Sequence, residues 1–373
     1  MRGTLIVTND FPPRPGGIQS FVHGLASQLP PDQVAVYAPA WDGAQAFDRR
    51  QPFPVVRHPT SLMLPVPGVA RRAVAALHEY DFDTVMFGAA APLGLLAPTL
   101  RRAGATRLVA LTHGHEAGWA ALPAARQLLR RIGETVDVVT YLGEYFRARL
   151  SRALSPPAAA RMVRLAPGVD VATFRDARPV AGLPAGSGGP VVLCVSRLVP
   201  RKGQDTLIRA WPAVRAAIPD AQLLLVGDGP YRGELHRLAS RLGVAGSVTF
   251  TGSVATGDLP GYYAASDVFA MPCRTRRAGL DVEGLGIVYL EASSAGLPVI
   301  GGDSGGAPDA IVEGETGYVV PGRSVPALAE RITSLLADPA RARAIGQRGR
   351  AWVEQEWDWS QVAGRLNALL GHA

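Results

Sequence analysis

The sequence predicts an α/β protein built from two doubly wound, parallel-sheet domains, and three observations carry that expectation. Its 373 residues exceed what one ordinary core organises. Short β-branched runs alternate with helical segments from end to end, the order of a parallel sheet covered on both faces. Glycine-rich or basic loops follow several strands directly, where such folds take anionic ligands. An apolar fraction of 47% against 18% charged residues belongs to a globular chain.

In the first half, Thr4–Thr8, Gln33–Tyr37, Thr84–Phe87, Leu108–Thr112 and Val136–Thr140 are the expected strands. Ile18–Leu29, Arg71–His78 and Ala124–Ile132 are the expected helices between them. The second half repeats the style with Val191–Val195, Gln222–Val226, Val248–Thr251, Val268–Met271, Pro298–Ile300 and Gly317–Val319. Arg175 to Pro190, rich in Pro, Gly and Ala, is the best linker candidate between the halves. The expected domains are therefore 1–170 and 171–356, with ligand loops facing a cleft from the strand C-termini.

Two cysteines, Cys194 and Cys273, sit in strand-like apolar runs and match no metal spacing, so they read as buried thiols of a reducing compartment. The N-terminus carries no secretory pattern, since Asp10, Pro12, Pro13 and Pro15 follow a short apolar strand. The most membrane-like stretch, Thr84 to Leu100, spans only 17 residues and contains two prolines, which favours a buried strand, loop and helix. These features predict a soluble, cytoplasmic protein.

The net charge of +7 is unevenly placed. Residues 1–170 hold 18 Arg against 12 Asp or Glu, while 171–373 hold 20 cationic and 19 acidic residues. That excess in the first half fits an anionic partner, nucleic acid or an acidic membrane, and equally an Arg-rich solvated face. No basic-aromatic motif of a nucleic-acid binder accompanies it.

Of 38 Lys and Arg residues, only Lys202 is a lysine. It lies in Ser196-Arg197-Leu198-Val199-Pro200-Arg201-Lys202-Gly203-Gln204-Asp205, between a strand and a helix-like run. A compact ammonium on a flexible stem reaches between phosphate oxygens in a way that a planar guanidinium does not. Asn9 to Ser20 joins the first strand to the first helix, and Gly16-Gly17 there lets backbone N–H groups approach a ligand. The ordinary dinucleotide fingerprint G-x-G-x-x-G is absent from that loop.

Thr112-His113-Gly114-His115-Glu116 follows another strand. A polar strand-end loop touching substrate hydroxyls accounts for it better than a metal site, because no third, distant ligand is apparent. Glu283 and Glu291 stand eight apart around an apolar helical run. A helix starting near Leu285 would turn the N–H groups of Leu285, Gly286 and Ile287 towards a phosphate. Glu291 would then sit roughly 9 to 12 Å further along the axis. That layout suits a nucleotide sugar. Ser304-Gly305-Gly306-Ala307-Pro308-Asp309 repeats the glycine-rich theme after the strand Pro298–Ile300 and equally reads as a plain turn, and Gly227-Asp228-Gly229-Pro230 reads as a turn at the cleft edge.

Together, Asn9 to Ser20, the Arg197/Lys202 pair, Gly227-Asp228-Gly229-Pro230 and Glu283/Glu291 resemble the retaining glycosyltransferases of the GT4 group, across nearly the whole chain and in the same order. Thr8 to Pro13, Thr112 to Glu116, Ser196 to Gln204 and Gly279 to Gly286 are similar to the actinobacterial phosphatidylinositol mannoside mannosyltransferases of the PimB type. The resemblance implies the GT-B fold, with the first domain binding acceptor and the second binding nucleotide sugar. The C-terminal segment 357–373 would cross back to the first domain. It further implies GDP-mannose as donor, a phosphatidylinositol mannoside as acceptor, and work at the inner face of the plasma membrane. Neither a metal, another cofactor nor nucleic acid is implied.

By that resemblance Arg197 and Lys202 bind the diphosphate, with backbone donors from Gly16, Gly17, Leu285, Gly286 and Ile287. Glu283 holds sugar hydroxyls, Glu291 the ribose, and Val254 lies beside the nucleotide. His113 lies near the reacting face, while Asn9, Asp10, Gln19 and His115 contact acceptor. No side chain is implied as general base. A GT4 enzyme with a soluble acceptor and a non-catalytic nucleotide-binding module are the alternatives. Basic segments Gly68 to His78 and Arg126 to Ile132 are candidates for membrane contact.

Overall fold

Two parallel sheets organise the chain. The first contains β1 (Thr4–Val7), β2 (Val34–Pro39), β3 (Val55–His58), β4 (Thr84–Phe87), β5 (Arg107–Ala110), β6 (Val138–Tyr141) and β7 (Val163–Arg164). Their order in the sheet is β3-β2-β1-β4-β5-β6-β7. The second contains β8 (Val191–Val195), β9 (Gln222–Val226), β10 (Val248–Gly252), β11 (Val268–Met271), β12 (Val299–Gly302) and β13 (Gly317–Val320), in the order β10-β9-β8-β11-β12-β13. The computed structural model describes residues 3–114, 116, 122–180 and 188–371.

Contacts divide the chain into two units, Met1–Gly168 with Trp359–Ala373, and Val169–Asp358. The central strands β1 and β8 are buried along their whole length, as continuous apolar runs flanked by helices on both faces must be. In each sheet the order reverses beside the first strand, so β1 pairs with β2 and β4, and β8 with β9 and β11. In the first sheet the loops leaving β1 and β4 flank its switch point at the strand C-termini, and in the second sheet those leaving β8 and β11 flank its own. Ligands of open α/β sheets bind at such switch points.

Thr84–Phe87, Val191–Val195, Gln222–Val226 and Val268–Met271 have the ends that their β-branched runs predict. Strands β3 and β7 were not legible in the sequence. The first is a four-residue edge whose Arg57 is drawn into an ion pair with Asp48 at 2.7 Å, and the second is two residues long. Within Thr84–Leu100 a strand is followed by turns and the short helix Ala97–Arg102, and among the described residues no helix is long and apolar enough to cross a membrane.

The Arg175–Pro190 stretch is not the crossing between the units. The chain crosses at Gly168/Val169 and again at Asp358/Trp359, and Val180 N donates to Gly261 O within the second unit. Trp357 likewise stays with the second unit, edge-on to Trp352 at 5.6 Å. The helix Trp359–Leu370 belongs to the first, where Arg107 donates twice to the Leu369 carbonyl at 3.0 and 2.9 Å. Trp359 seats its ring on two bare glycine faces, since a Cβ at Gly24 or Gly168 would lie 2.4 or 2.7 Å from ring atoms.

Candidate functional site

In the second unit the loop after β8 runs Ser196–Gly203 and opens the helix Gln204–Ala217. Gly203 adopts φ +82°, and a Cβ there would lie 2.0 Å from the Pro272 carbonyl oxygen. Only glycine lets this loop press against the segment leaving β11. Gln204 Nε2 donates to Ser196 Oγ at 2.8 Å and to Arg197 O at 3.1 Å, tying the loop to the helix behind it. Arg197 is exposed, and among the described residues its guanidinium makes no hydrogen bond or ion pair.

Lys202 Nζ lies 2.8 Å from Glu283 Oε2, and Arg201 Nε lies 3.7 Å from the same oxygen. Arg201 also pairs with Asp281 at 3.2 Å, and Arg276 approaches that carboxylate at 3.7 Å. Three cations thus face two carboxylates at the switch point of the second sheet. Even with both carboxylates ionised, the cluster stays cationic and suits an anionic ligand.

The turn Ser304-Gly305-Gly306 has a role beyond reversal of the chain. Ser304 Oγ accepts from Glu283 N at 3.2 Å, and Gly306 N donates to Glu283 O at 3.0 Å. Gly305 at φ +57° leaves room where a Cβ would meet that carbonyl oxygen at 2.0 Å. Glu283 is therefore held by its backbone from β12 and by its side chain from the β8 loop.

The helix that follows spans Ile287–Ser294, two residues later than the sequence suggests. Gly286 takes the left-handed conformation at φ 78°, which ends the loop and leaves Leu285 and Gly286 outside the helix. The open N–H groups of the first turn are those of Ile287 onward, with no side-chain cap. Glu291 is accordingly about one turn along, roughly 6 Å, and not at the far position expected.

Glu291 Oε2 accepts the Tyr263 O–H at 2.6 Å. Burial raises the Glu291 carboxyl above the ordinary carboxylate range, and the tyrosine hydrogen bond pulls back against it. Among the described residues this carboxylate has no cationic partner, unlike Glu283. Val254 is half-buried in the loop after β10. Gly227 lets its loop meet Ser196, since a Cβ there would lie 2.2 Å from the Ser196 carbonyl oxygen. Burial pushes the thiol of Cys194 up to about 12 and that of Cys273 to about 11, so both are inert.

The first unit carries its own cluster around the loop after β1. Asp10 Oδ1 accepts Gln19 Nε2 at 2.7 Å, and Gln19 in turn lies against Gly16. Gly17, the first residue of the helix Gly17–Ala26, faces open space. Asn9 spends its amide on Met63, donating to Met63 O at 2.9 Å and accepting from Met63 N at 2.7 Å. Its side chain thereby fixes the loop around Met63.

His113 is buried, edge-on to Phe21 at 5.6 Å, and Nε2 bonds the Gly88 carbonyl. A carbonyl only accepts, so Nε2 carries a proton. Glu116 accepts from His113 N at 2.9 Å. His115 lies outside the described residues. Among the described residues no group of three or more His, Cys, Asp or Glu is placed to hold a metal ion.

Tyr263, Asp281 and Arg201 are neighbours of the candidate site that sequence reasoning did not single out, and it took Ser304 only as part of a turn. Arg201, adjacent to the single lysine, and Ser304, in a glycine-rich turn, left a local signal.

The model of the Glycosyltransferase Family 4 matches residues 15–173, and that of Glycosyl transferases group 1 matches 181–352. The chain is 54% identical over 374 residues to a GDP-mannose-dependent alpha-(1-6)-phosphatidylinositol monomannoside mannosyltransferase of Mycolicibacterium smegmatis, covering 98% of this chain and 97% of that one. A GDP-mannose-dependent monoacylated alpha-(1-6)-phosphatidylinositol monomannoside mannosyltransferase of Corynebacterium glutamicum is 48% identical over 378 residues, with coverage of 99% and 98%. Among solved structures, the Anabaena protein HepE in complex with UDP superposes with a TM-score of 0.82 at 21% identity, over 100% of both chains. The fold is GT-B, with two Rossmann-like units. With both family models and two near-full-length relatives in agreement, the chain belongs to the family 4 glycosyltransferases, in the group of the phosphatidylinositol monomannoside mannosyltransferases.

Proposed function

We propose that this enzyme transfers an α-mannosyl residue, with retention, from GDP-mannose to a phosphatidylinositol monomannoside lipid. The observation that carries the reading is the pair of cations Arg201 and Lys202 beside Glu283 at a switch point. The names of the near-full-length relatives supply donor, acceptor and the α-(1-6) linkage.

In this reading the cluster receives the donor diphosphate. Its charges stabilise the negative charge that develops as the bond from the mannose C1 to phosphate breaks. Arg197 closes on the phosphate from solvent, and Lys202 bridges phosphate and Glu283. Glu283, neutralised by Lys202, accepts hydrogen bonds from mannose hydroxyls and Glu291 from the ribose. The Ile287 helix terminus adds backbone donors and a positive dipole end. Val254 borders the nucleotide.

The acceptor hydroxyl attacks the same face of C1 from which the phosphate departs. Its proton passes to the leaving phosphate oxygen, so no protein base is required. His113, Asp10 and Gln19 line the acceptor side, while Gly16 and Gly17 offer N–H groups to an anion. The reaction requires no metal ion in this scheme. The lipid acceptor places the enzyme at the cytoplasmic face of the membrane, where the excess Arg of the first unit meets anionic lipid.

The test is incubation with radiolabelled GDP-mannose and purified phosphatidylinositol monomannoside. Label moving into a lipid with one more mannose supports the reading. Label that reaches only soluble acceptors, or none, overturns it.

A further inference from the structure

We propose that Tyr263 is a positioning residue for nucleotide recognition, fixing Glu291 so that its second oxygen faces a vicinal diol. The proposal rests on the donor reading above and deepens it.

Tyr263 lies in the helix Leu259–Ala264 and is fully buried. Its ring stands edge-on to Phe174 at 5.4 Å and stacks on Phe269 at 5.8 Å. Phe269 is in turn edge-on to Tyr289 at 5.8 Å, so the ring sits in an aromatic column anchored in β11 and in the Ile287–Ser294 helix. A ring so clamped cannot swing its hydroxyl away, and the 2.6 Å bond to Glu291 Oε2 fixes the carboxylate plane.

The two carboxylates that stand eight residues apart in this unit are handled in opposite ways. Glu283 is compensated by Lys202 at 2.8 Å, whereas Glu291 has a single neutral donor and no cation among the described residues. A half-buried carboxylate left with one oxygen unused is costly unless further donors arrive. Two adjacent hydroxyls of a ribose supply two O–H donors and no competing positive charge. Burial holds the Tyr263 hydroxyl well above its ordinary pKa, so it remains a donor throughout the working range.

Tyr263→Phe keeps the aromatic column and removes only the hydroxyl. Calorimetry with GDP and 2′,3′-dideoxy-GDP on wild type and variant separates the possibilities. Wild type is expected to prefer GDP strongly. The variant should bind GDP about ten-fold more weakly, with dideoxy-GDP affinity unchanged. The KM for donor should rise by the same factor while kcat stays within about two-fold, the signature of lost uniform binding.

Equal loss of both ligands would reduce Tyr263 to a packing residue and overturn the proposal, as would unchanged GDP affinity. A wild-type protein that binds the two nucleotides alike would instead sink the assignment of Glu291 to ribose, and this inference with it.

Discussion

Lys202 and Glu283, 81 positions apart in the chain, meet at 2.8 Å with side-chain exposures of only 12% and 8%. The only lysine of the sequence is thus committed to a specific carboxylate. It reaches that carboxylate on a short loop that Gly203 presses against Pro272. An ammonium fits here as a point charge. A guanidinium would have to place a planar fork in the same space, already flanked by Arg201.

Lys202→Arg is therefore expected to lower kcat/KM for transfer by about 100-fold or more, with an unchanged circular dichroism spectrum. Lys202→Met should be worse, because it also leaves Glu283 buried with only the more distant Arg201, at a stability cost of up to about 3 kcal/mol. Adding Glu283→Gln to Lys202→Met should restore the melting temperature without restoring activity. A Lys202→Arg enzyme of full activity would show that the residue choice is accidental.

Glu291 sets function against stability. Its folded-state pKa is raised above the ordinary 4.5 by burial, so in the window between the two values the folded protein keeps a proton that the unfolded chain has lost. Stability contributed by this group is then present below 4.5 and declines as pH rises through the folded value. Glu291→Gln should melt above wild type at neutral pH, and the gap should close as pH falls towards 4.5. Donor affinity should fall in the same variant. Thermal melts across pH, beside nucleotide titrations, check both halves, and a variant that melts below wild type at pH 7 contradicts the argument.

Gly305 is expected to tolerate no side chain. A Cβ would lie 2.0 Å from the Glu283 carbonyl oxygen at a φ of +57°, so both space and backbone oppose it. Gly305→Ala should cost about 1–3 kcal/mol and lower kcat/KM by displacing Glu283. Stability loss with full activity would mean that Glu283 does not need this seat.

Gly24 reverses the usual sign of a helical Gly→Ala change. Alanine favours an open helix by up to about 1 kcal/mol, but here its Cβ would lie 2.4 Å from the Trp359 ring. Gly24→Ala should therefore lower the melting temperature by displacing the C-terminal helix. A variant at or above the wild-type melting temperature would refute that packing.

Charge on the helix Pro123–Thr135 offers a check on the lipid reading. Its Leu129 and Ile132 are buried, while Arg126, Arg130 and Arg131 are exposed. Replacing those three arginines by glutamine should weaken sedimentation with acidic liposomes by about 1 kcal/mol per charge at low salt, and the difference should fade at high ionic strength. Binding of GDP should be unaffected. Equal sedimentation of variant and wild type would remove this helix from any membrane contact.

By itself the sequence determined the alternating α/β architecture, the family, and the loops that carry the charged residues. Parallel strands buried on both faces must be continuous apolar runs, and β8, β9 and β11 are visible for that reason, whereas edge strand β3 and two-residue β7 lack such a run. Lys202, Glu283 and Glu291 stood out through composition and spacing, which are local properties. Which groups they meet is not local. The approach of the loops leaving β8, β11 and β12 decides that Lys202 neutralises Glu283 and that Ser304 and Gly305 seat it, and the packing of the helices Leu259–Ala264 and Ile287–Ser294 decides that Tyr263 holds Glu291. The start of the helix at Ile287 is by contrast a local matter, because Gly286 turns left-handed where a side chain would strike the ring of Tyr289 three residues on. Spacing along a chain reports which residues share an element; only the packed sheet brings partners from different elements within bonding distance.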